Sequence, residues 1–160
     1  MNYCTKCILP DTRPNLVINK NGICNACFSW EEKKEVIDWK KRENQFIQLV
    51  ETVKAKKKMW DCVIPVSGGK DSTWQVVKAL EYGLKPLCVT WKTPARSGLG
   101  QKNLDNLVGL GVDHIDFSIN PEVDKRFTFK ALKEKGTVAI PMHMAIFAIP
   151  LRIASNFKIP

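Results

Sequence analysis

The stretch from Val63 to Thr73 restricts the fold more than any other. Val63-Ile64-Pro65-Val66 reads as a buried β-strand, Ser67-Gly68-Gly69 as a turn, and Lys70-Asp71-Ser72-Thr73 as the opening of a helix. Two glycines let a backbone approach an anion closely. The first amides of a helix point at that anion, and the helix dipole favours its charge. Lys70 adds an ammonium, and Ser67, Ser72 and Thr73 add hydroxyls. A site for a polyphosphate is expected. It is not the common P-loop, which needs a glycine five residues before the Gly-Lys-Ser/Thr tripeptide. Here Ile64 holds that position, and Asp71 follows Lys70.

Strand and helix patterns alternate around this stretch. Strands are expected at 61–66, 85–91 and 113–118, and helices at 71–82, 101–110, 121–135 and 142–156. Asn120 and Pro121 supply a cap and a first helical position. The last helix is apolar on nearly every side, so burial is expected, and Pro150 should kink or break it. Such alternation predicts an α/β fold, a parallel sheet with helices on both faces. Ligands of these sheets bind beyond the carboxyl ends of the strands. That places Ser67, Gly68, Gly69, Lys70, Asp71 and Ser72 at the site, with Thr90 and Trp91 as candidates to contact a nucleoside. Cys62 and Cys88 read as buried thiols, His114 as structural, and His143 as a satisfied buried imidazole. For Arg96 an anionic partner and plain solvation remain open. Phe157-Lys158-Ile159-Pro160 looks like the start of a further strand, so the domain is expected to be incomplete at its C-terminus.

Cys4-Thr5-Lys6-Cys7 and Cys24-Asn25-Ala26-Cys27 form two Cys-x2-Cys pairs separated by sixteen residues. That spacing predicts a four-cysteine structural zinc ribbon. An iron–sulfur cluster is the alternative. Residues 16–23 read as a hairpin with its turn at Asn21-Gly22. The expected organisation is a zinc ribbon at 1–30, a linker helix at 31–59 capped by Asp38, and the α/β domain at 60–160.

Lys and Arg number 25 against 16 Asp and Glu, giving +9. Only five of the basic residues are arginine. Arginine dominates bidentate base contacts, so nucleic acid is not the expected partner. No apolar run reaches membrane-spanning length, and no basic-then-apolar leader opens the chain. A cytoplasmic location is expected.

Ser-Gly-Gly-Lys-Asp-Ser resembles the signature of the PP-loop ATP pyrophosphatases. Together with the cysteine pairs and segments 9–14, 22–27, 61–73, 89–92, 100–107, 111–117 and 141–152, it is similar to one family of that superfamily. These are the N-acetyl sugar amidotransferases of surface-polysaccharide and flagellin-glycan biosynthesis. The resemblance implies ATP cleavage between the α- and β-phosphates, Mg2+, and adenylation of the acetamido group of an N-acetyl sugar or sugar nucleotide. Ammonia from a glutaminase–synthase partner pair would then displace AMP. It further implies that Gly68, Gly69 and Lys70 cradle the phosphates, that Ser67 and Ser72 donate to them, and that Lys70 and Asp71 are catalytic. Asp71 is either a helix cap or a Mg2+ ligand. Family members are longer than this chain. A tRNA-thiolating PP-loop enzyme and a non-catalytic scaffold for a glutaminase are the rival readings.

Overall fold

The computed structural model describes residues 1–160 and divides into two units, Met1–Phe46 and Ile47–Pro160. The first has little regular structure before helix α1 (Asn25–Val36). Cys24 is the N-cap of α1, its sulfur accepting from the Cys27 amide. The expected hairpin is reduced to a single bridge between Ile18 and Cys24. Its turn sits one residue earlier than expected. The Gly22 amide donates to the Asn19 carbonyl at 3.0 Å, and Gly22 takes φ +74°. Lys20 and Asn21 are therefore the central residues. The cause is Asn19, whose side-chain oxygen accepts from the amides of Asn21 and Ile23 at 2.9 and 3.0 Å. Such a local bond replaces the ladder that a hairpin would need.

Helix α2 (Trp39–Lys54) carries the chain across the boundary between the units. The Asp38 carboxylate accepts from the Lys41 amide at 2.9 Å, so Asp38 is its N-cap as expected. Residues 31–59 hold the end of α1 and all of α2, with Ile37 extended between them.

In the second unit the order is β1 (Cys62–Pro65), α3 (Lys70–Glu81), β2 (Pro86–Trp91), α4 (Gly98–Val108), β3 (Asp113–Phe117), α5 (Pro121–Lys135) and α6 (Ala139–Asn156). The three strands are parallel in the order β1-β2-β3. The side chains divide with a period of two between the faces of the sheet. Ile64, Val66 and Cys88 pack with Val76 and Ala79 of α3 and with Leu104 and Leu107 of α4. Leu87, Val89, Val63 and Ile115 pack with Ile149 and Ile153 of α6. Helices thus cover both faces.

Burial accounts for two quiet thiols. It pushes the Cys62 thiol up to about 11 and the Cys88 thiol to about 12, with the neighbouring Asp61 and Cys62 charges adding in turn. Neither is poised as a nucleophile at neutral pH.

Four expectations need correction here. Helix α4 begins at Gly98 rather than 101, because Ser97 caps it, accepting from the Gly100 amide at 3.1 Å. Helix α6 runs unbroken through Pro150 to Asn156. Nor is α6 buried all round. Ala145 and Ile153 face inward, whereas Phe147 and Leu151 are 70% and 71% exposed. The helix packs on β1, β2 and α5 and leaves Phe147 and Leu151 in the open. His143 lies on that open part and is exposed, not a buried imidazole.

Candidate nucleotide site and candidate metal centre

Register brings the expected site residues together. Pro65 pairs with Val89, so the turn after β1 emerges beside Thr90 and Trp91 at the end of β2. Proline cannot donate to this ladder, and the Val66 amide bonds the Val89 carbonyl instead, at 2.9 Å. Gly68 takes φ +78° there, and a Cβ on it would stand 2.7 Å from the Leu104 nitrogen of α4. This turn is pressed against a neighbouring helix backbone, and only glycine fits.

Gly69 is the N-cap of α3 and supplies no side-chain bond. The first amides of α3, those of Lys70, Asp71 and Ser72, therefore lack intrahelical partners. The Gly69 carbonyl accepts from the Ser72 and Thr73 hydroxyls, each at 3.0 Å, and from the Thr73 amide at 3.0 Å. Ser67 Oγ lies 3.4 Å from the Gly69 amide. Asp71 does not cap the helix. Its carboxylate pairs with Lys70 at 3.3 Å, and both side chains are open to solvent, at 86% and 92% exposure. Such an exposed pair contributes little, so both groups are free to turn toward a ligand.

A cavity of about 360 Å3 opens beside the turn, bordered by Ser67, Thr90, Trp91 and Thr93, with Met142, Ile146 and Pro150 of α6 as its far wall. Its size falls in the range of small-ligand pockets. The contribution of α6 was not foreseen, since an all-apolar helix reads as core and not as a pocket wall. Lys70 and Asp71 stand outside this cavity, at the start of α3.

Thr90 is 6% exposed and its hydroxyl is already committed. It donates to the Val66 carbonyl at 2.8 Å and lies 2.9 Å from His114 Nε2. One hydroxyl has one proton, so the imidazole donates, and the neutral ring carries its hydrogen on Nε2. Burial holds the His114 pKa below its ordinary value. His114 is structural, as expected. Arg96 is neither solvated nor aimed at a ligand. It forms a bidentate pair with Asp116 at 2.7 and 2.8 Å and reaches Gln101 at 2.9 Å. The guanidinium bonds hold the Asp116 carboxyl below its usual value. This pair ties the 92–97 loop to β3.

In the first unit the sulfurs of Cys4, Cys7, Cys24 and Cys27 all lie within 4.8 Å of one another. Cys4–Cys27 and Cys7–Cys24 are 4.0 and 3.6 Å apart. A tetrahedral zinc with bonds of about 2.3 Å needs sulfurs about 3.8 Å apart, and the set fits. A four-iron cube ligated at its corners would spread its thiolates further than this. The Cys24 amide donates to the Cys4 sulfur at 3.2 Å and lowers that thiol to about 6. Cys27 is pushed up to about 12, chiefly by its hydrogen bonding with Cys7. The four groups are too crowded to ionise together without a cation. All four would serve as ligands, leaving no open position for water.

The second unit is thus a parallel α/β fold, with a glycine turn leading from the first strand into a helix. A solved structure titled NMN synthetase, from Francisella tularensis, is similar to it. The two share 18% identity and a TM-score of 0.52, over 77% of this chain and 52% of that one. The chain therefore spans about half the length of the structure it matches. No protein-family profile matches the chain, and no curated protein matches it significantly. The likeness concerns the fold and does not reach the sugar amidotransferase family.

Proposed function

We propose that the chain carries the ATP-cleaving part of an amidotransferase that converts the acetamido group of an N-acetyl sugar, free or nucleotide-linked, into an acetamidino group. The observation that carries the nucleotide part is the arrangement at the end of β1. Three unpaired helix-opening amides and the Lys70 ammonium stand next to a cavity of about 360 Å3 walled by Ser67, Thr90 and Trp91. The sugar part rests on the sequence segments named above.

The roles proposed are those that the sequence resemblance implies. The amides of α3, with Gly68 and Gly69, receive the β- and γ-phosphates, and Lys70 swings from Asp71 to neutralise them. Asp71, once free of Lys70, would be a ligand for Mg2+, which favours carboxylate and phosphate oxygens. Ser67 and Ser72 exchange their bonds within the turn for bonds to phosphate. The nucleoside occupies the cavity against Trp91 and α6.

The acetamido oxygen attacks the α-phosphorus, and the electrons of the α–β bridge bond leave with pyrophosphate. Ammonia, supplied by a glutaminase partner, adds to the activated carbon, and AMP departs with the former acetamido oxygen. The zinc ribbon takes no step in this chemistry.

The test is product analysis with the protein, ATP, Mg2+, an N-acetyl sugar and ammonium. AMP and pyrophosphate should form only when sugar and ammonium are both present. ADP and phosphate as products would sink the assignment. A salt-sensitive shift of tRNA would instead favour the thiolating alternative.

A further inference from the structure

A second, smaller cleft lies beyond Trp91. It measures about 190 Å3 and runs between the ends of β2 and β3 and the first turn of α5. Trp91 and Thr93 border this cleft and the nucleotide cavity alike. Its volume lies below the roughly 300–1,000 Å3 of a whole-ligand pocket, so it suits a single ring.

The lining is mixed in a particular way. Trp91, Pro94 and Pro121 provide flat apolar surface, and Thr93 and Ser118 provide hydroxyls. Lys92 and Asp124 bring opposite charges to the same cleft. Yet they form no ion pair with each other or with any other group, although six such pairs exist elsewhere in the chain. The two opposite charges leave the cleft with no net preference for an anion or a cation. A neutral molecule offering both donors and acceptors satisfies both groups. The apolar wall asks further that this molecule have one non-polar face. A pyranose ring answers this description, with axial C–H groups against an aromatic surface and hydroxyls toward a carboxylate and an ammonium.

The geometry points to this cleft as the acceptor subsite, holding one monosaccharide ring between Trp91, Lys92 and Asp124, with Trp91 as the partition between acceptor and nucleotide. It rests on the amidotransferase reading for the identity of the sugar. The placement itself rests on the two cavities and their shared wall. Because Trp91 and Thr93 border both cavities, a ring here and a nucleoside across Trp91 would be immediate neighbours.

The test is a titration of the full chain followed by amide and indole chemical shifts, with N-acetylglucosamine as one probe and a non-hydrolysable ATP analogue as the other. The sugar should shift the Trp91 indole and the Ser118 amide. Asp124→Asn and Lys92→Ala should each weaken sugar binding at least fivefold and change the affinity of the analogue by less than twofold. Two variants guard against a folding defect in one, and each should keep the wild-type melting profile. Sugar affinity unchanged in both variants would overturn the subsite. So would absence of sugar binding with and without the analogue, even where the analogue binds normally. Sugar binding that depends on Asp124 in a protein that ignores the analogue would uphold the cleft and remove the ATP reading.

Discussion

Gly68 and Leu104 meet backbone to backbone: a methyl group on the glycine would lie 2.7 Å from the Leu104 nitrogen. The turn proposed to hold phosphate is at the same time a packing contact between the first strand and α4. Gly68→Ala faces both that contact and the left-handed φ of +78°. The backbone of α4 cannot yield as a flexible side chain would. A loss of about 2–4 kcal/mol is expected, read as a lowered midpoint in urea unfolding. A variant as stable as wild type would show that α4 can move away from the turn.

Lys70→Ala should behave in the opposite manner. The side chain is 92% exposed and pairs only with Asp71, so stability should change by less than about 0.5 kcal/mol. Affinity for an ATP analogue should fall at least tenfold, and bound zinc should stay at the wild-type level. Calorimetry and metal analysis on one preparation measure both. Loss of metal in this variant would mean the two units are not independent.

Removal of the metal should act on the first unit alone. Its ordered structure is α1, the start of α2 and two isolated bridges, too little to bury a core. Metal binding to such sites is worth on the order of 10–16 kcal/mol. Chelation, or Cys4→Ser, should unfold residues 1–46 and leave the melting of the α/β unit in place. One zinc per chain is the expected stoichiometry, and hydrogen exchange resolves the two units.

Acid should destabilise the second unit in two stages. His114 has a folded pKa below its ordinary 6.5 because burial penalises its charged form. The unfolded chain therefore binds the proton first. The stability this group contributes is full above about pH 6.5 and is lost as pH falls through the folded value. Asp116 follows lower down. Its folded pKa lies below 3.8 because Arg96 bonds the carboxylate, so its contribution is full above that value and is lost beneath it. Unfolding free energy measured against pH should lose its upper slope in His114→Gln and its lower slope in Asp116→Asn.

The fold was legible wherever local chemistry agreed with the tertiary setting. Gly69 and Lys70 marked the strand-to-helix turn, Asn120 and Pro121 the start of α5, and Asp38 the start of α2. The cysteine spacing brought four sulfurs within 4.8 Å of one another. Features decided by partners distant in the sequence were not legible. Arg96 stood in a polar loop, where an anionic ligand and solvation were both open, because its match to Asp116 depends on that loop folding against β3. Met142 and Ile146 read as core, because only the assembled sheet shows that they face a cavity. His143 read as buried, because an apolar helix does not announce which of its faces lacks a neighbour. Asn19 displaced the turn by a side-chain bond, which a rule based on Asn-Gly pairs does not contain.

Thr90 carries a consequence for experiment. Its hydroxyl accepts a hydrogen bond from His114 on the third strand and donates one to the Val66 carbonyl, just past the end of the first. Val66 is followed directly by the turn at Ser67. A rotation of that turn would lengthen or shorten the Thr90 bond, and the ring nitrogen of His114 would register it. With His143 lying in the solvent-exposed part of α6, the chain contains just two histidines, and their signals differ in environment. The imidazole nitrogen resonance of His114 is thus a native gauge of the turn, readable without any label placed near the ligand.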